Sequence, residues 1–332
     1  MANGTDSFDR REFVRRLAAT GLAVAGTIVG GLLVHDKRTG REYFRELAER
    51  RAHRIPKFAV ELAPSDVQLV IVRGSSPAKM VRAAFDALGG AQKFIRSGDV
   101  VFVKPNAAFD RPPSLCATTN PETLKAVIEV CYEAGAKEVI VADNPINDPE
   151  GCFIKTGIKR AALEAGAKLV YPDQAKFEMV EVGGERVKRW IAFYEPLKRA
   201  TKVIGVAPVK DHNLSSASLC MKNWYGLLGG ARNRFHQHIH CVIADLAGWI
   251  TPTLVILDGV RVLMRNGPTG GSMSDVAVKN TLIAGVDQVA VDAIGYTLLE
   301  RNPSELKYLQ RAKERGIGNP NWKELNWREV QV

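Results

Sequence analysis

The sequence predicts an α/β protein, a mostly parallel sheet with crossover helices and an inserted β-hairpin. Three observations carry that expectation. From Asp66 onward, short apolar runs alternate with helical segments, the pattern of strands joined by crossover helices. Two strand-like runs, 179–182 and 187–193, are separated by a turn containing Gly183-Gly184, which reads as a hairpin set into that series. Polar residues follow directly on the strand runs, where open α/β sheets bind their ligands.

Each element has its own warrant. Residues 67–72 form a buried-strand run and 77–88 a helix opened by Pro77. Residues 100–103 are a second strand, ending in Lys104-Pro105-Asn106. Thr118-Thr119-Asn120-Pro121 announces a helix over 121–134, with a capping residue before a proline at its first turn. Residues 139–142 are a strand ending in Asp143-Asn144-Pro145; 158–165 is a helix and 169–171 a strand. Residues 203–206 lead as a strand into a polar loop, 207–234, and a helix is expected from Phe235 through Ile250. Residues 254–257 and 282–284 are strands, and 289–299 and the segment from Leu306 are helices. A tryptophan-containing tail docks on the surface.

Ahead of this domain (66–332) stand two other segments. Residues 1–34 hold Arg10-Arg11 before a polar residue, Phe13, Val14 and Arg15, then eighteen uncharged residues from Leu17 to Val34. That order resembles a twin-arginine export signal, an address read by the twin-arginine export machinery on proteins that cross a membrane already folded. As a helix the uncharged stretch spans about 27 Å, just under a hydrocarbon core of roughly 30 Å. The expectation is a periplasmic protein, with an uncleaved signal as a possible inner-membrane anchor. Residues 35–65 read as a charged linker.

Composition excludes less than it locates. Net charge is +10, but twelve Lys/Arg against seven Asp/Glu in residues 1–57 account for half of it. No basic block is interleaved with aromatics, so no nucleic-acid partner is expected. The five cysteines show no C-x-x-C spacing, hence no intrinsic iron–sulfur cluster motif.

Chemistry concentrates in residues 207–240, which hold four of the six histidines. Lys104 and Asn106 at one strand end, with Asn223, suit a small anionic substrate, a point charge beside amides that can donate. His212, at the end of a strand run, is a candidate general base, and Lys222 a nucleophile or cofactor anchor. His236 and His240 stand at i and i+4 if the helix starts at Phe235, and such a pair can chelate a divalent metal ion. A satisfied structural histidine and surface neighbours are the plainer reading of the same residues. Asp292 sits among apolar residues, as an orienting carboxylate or a simple backbone cap. The glycine-rich loop 264–273 lacks the order of a nucleotide P-loop.

Taken together, Lys104-Pro105-Asn106, Thr118-Thr119-Asn120-Pro121, Asp143, Pro208, Lys210, His212, Lys222-Asn223, Gly226, His236, Asp258-Gly259, Gly267-Pro268 and Asp287 to Asp292 resemble the domain of unknown function family numbered 362. Many members of that family carry an appended ferredoxin-type module, so the resemblance implies an iron–sulfur or other redox protein as partner. A more distant similarity is to the N-terminal domain of nickel-pincer lactate racemases. It implies His212 as a proton-shuttling histidine, Lys222 as the covalent cofactor lysine and His236 as the metal histidine. This chain departs from the racemases where they place a second catalytic histidine: it has Asp143-Asn144-Pro145, so two-base racemisation is not expected. Two functions remain open, a metal-dependent redox or acid–base enzyme on a small anion, and a non-catalytic accessory subunit of a membrane-associated redox complex.

Overall fold

The computed structural model describes residues 10–34 and 52–332. The first nine residues and the linker stretch 35–51, His35 included, lie outside them. The chain divides into two compact units, residues 1–49 and 50–332. In the first, α1 (Arg10–Val34) begins at the arginine pair and runs through the uncharged stretch, with Arg16 donating to Glu12 one turn back at 2.6 Å. Among the described residues no helix is long and apolar enough to cross a membrane.

In the second unit a nine-stranded sheet is assembled from β1 (Leu69–Arg73), β2 (Val100–Lys104), β3 (Glu138–Val141), β4 (Lys168–Leu169), β7 (Lys202–His212), β8 (Ser216–Ser218), β9 (Leu254–Leu263), β10 (Val276–Gly285) and β11 (Trp327–Gln331). The order is β11-β1-β10-β9-β7-β2-β3-β4, with β8 beside β7. β10 runs against both β1 and β9, and β8 against β7; the other pairings are parallel. The hairpin forms as expected, β5 (Phe177–Glu181) on β6 (Arg189–Phe193).

Because successive strand residues point to opposite faces, the sheet feeds two cores. Leu69, Ile71, Val203, Ala207 and Leu257 face one, and Val70, Val72, Ile204, Val206 and Ile256 the other. The first is covered by α7 (Cys220–Asn223), α8 (Ile239–Trp249), α9 (Gln288–Leu298), α10 (Lys307–Glu314) and the hairpin. The second is covered by α2 (Pro77–Ala87), α3 (Pro121–Glu133), α4 (Pro149–Lys155) and α5 (Ile158–Glu164). The short α6 (Glu195–Arg199) links β6 to β7.

Five expectations need correction. The α/β unit begins before Asp66: His53 exchanges backbone hydrogen bonds with Met179 and Glu181 of the hairpin, and Phe58 is buried. The strand expected to end at Val206 continues to His212, because β8 folds back on it and supplies backbone partners for a polar stretch that has no strand pattern of its own. β10 is ten residues long rather than three, and the tail pairs with β1 as β11 instead of merely docking. The helix expected from Phe235 begins at Ile239, and residues 232–238 are a 3-10 turn.

Candidate active site

β2 delivers Lys104 to the carboxyl edge of the sheet, and there the side chain is completely buried. Its Nζ donates to Asp143 Oδ1 (2.6 Å), Asn223 Oδ1 (3.1 Å) and the Pro105 carbonyl (3.0 Å), which uses all three ammonium protons. Burial lowers its pKa from the ordinary lysine value, while the charge and hydrogen bond of Asp143 oppose that shift. The second oxygen of Asp143 accepts from the Ala107 N–H at 2.7 Å. Asn106 Nδ2 donates to Asn223 Oδ1 (3.2 Å), and Asn223 Nδ2 returns to the Lys104 carbonyl (3.2 Å). Lys104, Asn106 and Asn223 therefore come together, but as a closed polar network. Lys104 holds the strand ends in place and has no proton left for a ligand.

Gly226 lets a neighbouring turn pass over this pair. A Cβ there would lie 2.2 Å from Asp143 Oδ1 and 2.8 Å from Lys104 Nζ.

Above the network sit His212 and Lys222. The four-residue helix α7, which carries Lys222 and Asn223, has no side-chain cap of its own. Asp292, wholly buried on α9, supplies one from outside: its two oxygens accept from the Cys220 N–H (2.8 Å) and the Met221 N–H (3.0 Å). Burial pushes the Asp292 carboxyl up to about 8, against those hydrogen bonds. Lys222 follows one residue on, half-buried, with Nζ 5.5 Å from the centre of the Tyr225 ring. It makes no hydrogen bond or ion pair with the described residues. Burial, and secondarily the charge of Arg232, bring its pKa down to about 7.

His212 is 5% exposed at the tip of β7. Its Nδ1 accepts from the backbone N–H groups of Leu214 (3.1 Å) and Ser215 (3.4 Å), so the imidazole proton resides on Nε2. Burial first, then the charges of Lys222, Lys210 and His236, depress its pKa to about 2. The expected general base is thus a neutral hydrogen-bond donor: its one proton is on the free nitrogen and its one lone pair is taken by the turn.

His236 and His240 do not form the expected pair. His238 marks the junction between the 3-10 turn and α8, which breaks the i,i+4 register. His236 Nδ1 donates to the Asn233 carbonyl at 2.8 Å and its ring tilts toward Tyr225, 5.5 Å between centres, leaving Nε2 a lone pair in the neutral ring. His240 instead stacks on Tyr308 at 6.3 Å, its Nδ1 buried without a partner. Among the described residues no group of three or more His, Cys, Asp or Glu could hold a metal ion. The described side chains do not fit a divalent ion held by protein ligands alone; His236, against the same Tyr225 ring as Lys222, could supply a single nitrogen to a group bound there.

Three further residues belong to the site and had weaker sequence signals. Lys210 is 1% exposed, donates to the Ala117 carbonyl and to Asn106 Oδ1 (3.3 Å), and lies 5.1 Å from the centre of the Phe109 ring. The alternation Lys210-Asp211-His212 puts it near His212 once the run is known to be a strand. Arg232 latches the turn after α7 to the loop after β3 through the carbonyls of Asn144 (2.8 Å), Pro145 (2.9 Å), Leu228 (3.2 Å) and Tyr225 (3.4 Å). Tyr225 returns its hydroxyl to the Arg232 carbonyl at 2.5 Å.

Fold and site together define an α/β protein with a cluster of cationic side chains at the carboxyl ends of its strands. The model of a family described as "Domain of unknown function (DUF362)" matches residues 101–297, more than half of the chain, and the chain belongs to that family. It is 26% identical over 265 residues to a thylakoid-associated protein of Synechocystis, covering 74% of this chain and 77% of that one. Similar solved structures include the lactate racemase apoprotein from Thermoanaerobacterium thermosaccharolyticum, with 14% identity, a TM-score of 0.38 and coverage of 70% of this chain and 59% of that one. A protein from Thermotoga maritima gives 11% identity, a TM-score of 0.37 and coverage of 73% and 60%. The chain spans about three-fifths of the length of both solved structures.

Proposed function

We propose that the protein is an enzyme that acts on a small anionic molecule, with Lys222 as its nucleophile, base or covalent anchor. One observation carries this reading: an amine with no hydrogen-bond or ionic partner among the described residues stands at the sheet edge, near two other cations and a neutral histidine. With a pKa near 7, about half of the Lys222 side chains are free amines at neutral pH, whereas an ordinary lysine is almost wholly protonated. His212 Nε2–H then serves as an electrophile that polarises a carbonyl or holds an anion, as a neutral imidazole can. Were Lys222 to carry a metal-bearing group, His236, packed against the same Tyr225 ring, would be the residue to offer it a nitrogen. The test is competitive acylation with acetic anhydride between pH 5.5 and 10, read by peptide mass spectrometry. Only the free amine reacts, so Lys222 should reach half-maximal labelling near pH 7, well below an added free lysine standard. Labelling of Lys222 in step with that standard defeats the reading.

Location is part of the proposal. Arg10-Arg11 at the start of α1, and the thylakoid association in the relative's name, support an exported protein that works beside a membrane. Membrane fractionation of cells carrying Arg10→Lys and Arg11→Lys together should show the protein retained in the cytoplasm; unchanged export removes the claim. The same two observations favour the second reading, an accessory subunit that docks a redox partner. Ordinary titration of Lys222 together with export would leave that reading in possession.

A further inference from the structure

We propose that the ligand of this site is a small dianion, a dicarboxylate or a phosphate monoester, and that Lys210 supplies the second positive charge that selects it over a monoanion. This rests on the reading of the strand-end pocket as an anion site.

The argument is a balance of charges. Asp143 is the carboxylate of the site, and Lys104 takes it at 2.6 Å. That pair is neutral as a unit. Lys210 has no carboxylate: its partners are the neutral oxygens of Asn106 and Ala117 and the face of Phe109. Lys222 has no polar partner among the described residues. Arg232 adds positive charge from the side, with its guanidinium committed to backbone carbonyls. Asp143 acts on Lys210 only from a distance and is already paired with Lys104, while Lys210 and Lys222 oppose each other's charge among poorly solvated groups.

Burial, then Lys222, lower the Lys210 pKa well below the usual lysine range. Of the other charged groups, Asp143 raises the Lys210 pKa and its partner Lys104 lowers it; His212 is neutral, Tyr225 is held as a phenol by burial, and His236 adds no negative charge. A monoanion balances one ammonium and leaves the other opposed. A dianion balances both, so its arrival favours the charged form of each lysine.

Lys210 is buried behind Asn106, so it acts by its field rather than by contact. It is a specificity residue, with Lys222 and His212 Nε2–H as the groups that meet the ligand.

Isothermal titration at pH 7.5 and fixed ionic strength, with acetate, lactate, succinate and inorganic phosphate, tests this on the full chain. Succinate or phosphate should bind at least about tenfold tighter than acetate and lactate; which of the two binds tells a dicarboxylate from a phosphate. Lys210→Met should abolish the preference while leaving monoanion affinity within about threefold, and Lys210→Arg should keep it. Dianions no tighter than monoanions in the wild type overturn the inference without help from any variant. So does a Lys210→Met variant that weakens all four anions alike. Binding of none of the four defeats the anion-site reading itself, and this inference with it.

Discussion

Replacing Lys104 with methionine should cost the fold about 3–5 kcal/mol, because it strands a carboxylate in the interior. Asp143 is 1% exposed, and Lys104 is its ion-pair partner, at 2.6 Å. The Ala107 N–H would remain as its hydrogen-bond donor. Taking out both charges, as Lys104→Met with Asp143→Leu, should return much of the loss, since a buried pair and a well-packed apolar pair are often close in stability. Urea unfolding of the wild type, the single variant and the double variant reads the difference. A single variant within about 1 kcal/mol of wild type would show that the pair is not the support described here.

Gly226→Ala is the second large effect. The added methyl group would sit 2.2 Å from Asp143 Oδ1 and 2.8 Å from Lys104 Nζ, and neither atom can retreat without giving up a buried hydrogen bond. Overpacking usually costs 1–3 kcal/mol, and breaking the ion pair adds to that, so a loss of about 3 kcal/mol or more is expected. The damage should also reach Lys222, four residues away in the helix that precedes this turn, and shift its labelling profile toward that of a surface lysine. Wild-type stability with an unchanged Lys222 profile would mean that the turn simply moves aside.

The strand ends were the most legible part of this protein. Lys104, Asn106 and Asp143 could be singled out because each ends or follows a strand with an apolar pattern, and such patterns survive in any tertiary context; Asn223 was marked only by its place beside Lys222 in the polar run before Trp224. The hairpin was equally plain, its two runs held apart by Gly183-Gly184. What failed was the stretch between them. Residues 207–212 contain Pro208, Lys210, Asp211 and His212, which looks like a loop, yet β8 pairs with it and makes it the end of an eleven-residue strand. With that strand hidden, Lys210 had no reason to stand beside His212. The His236/His240 pair failed differently: periodicity fixed the helix after Ile239 correctly, but the preceding turn winds as a 3-10 helix and changes the angle between the rings. Roles were harder to read than positions. His212 changes from base to donor only because two backbone N–H groups reach its Nδ1, a contact made by its own turn that no spacing rule contains.

The pairing of β1 has a consequence for how the chain is made. Leu69 lies beside Gly285 on one side and Trp327 on the other, both more than two hundred positions later in the sequence. A ribosome finishes β1 long before either neighbour exists, so the early chain carries an apolar strand with two open edges. Its entropy of closure is met only when the last strand arrives, which makes this a sheet of high contact order. Nascent chains that stall short of β10 should therefore be held by chaperones or lost to aggregation, while β2, β3 and β7 can already associate.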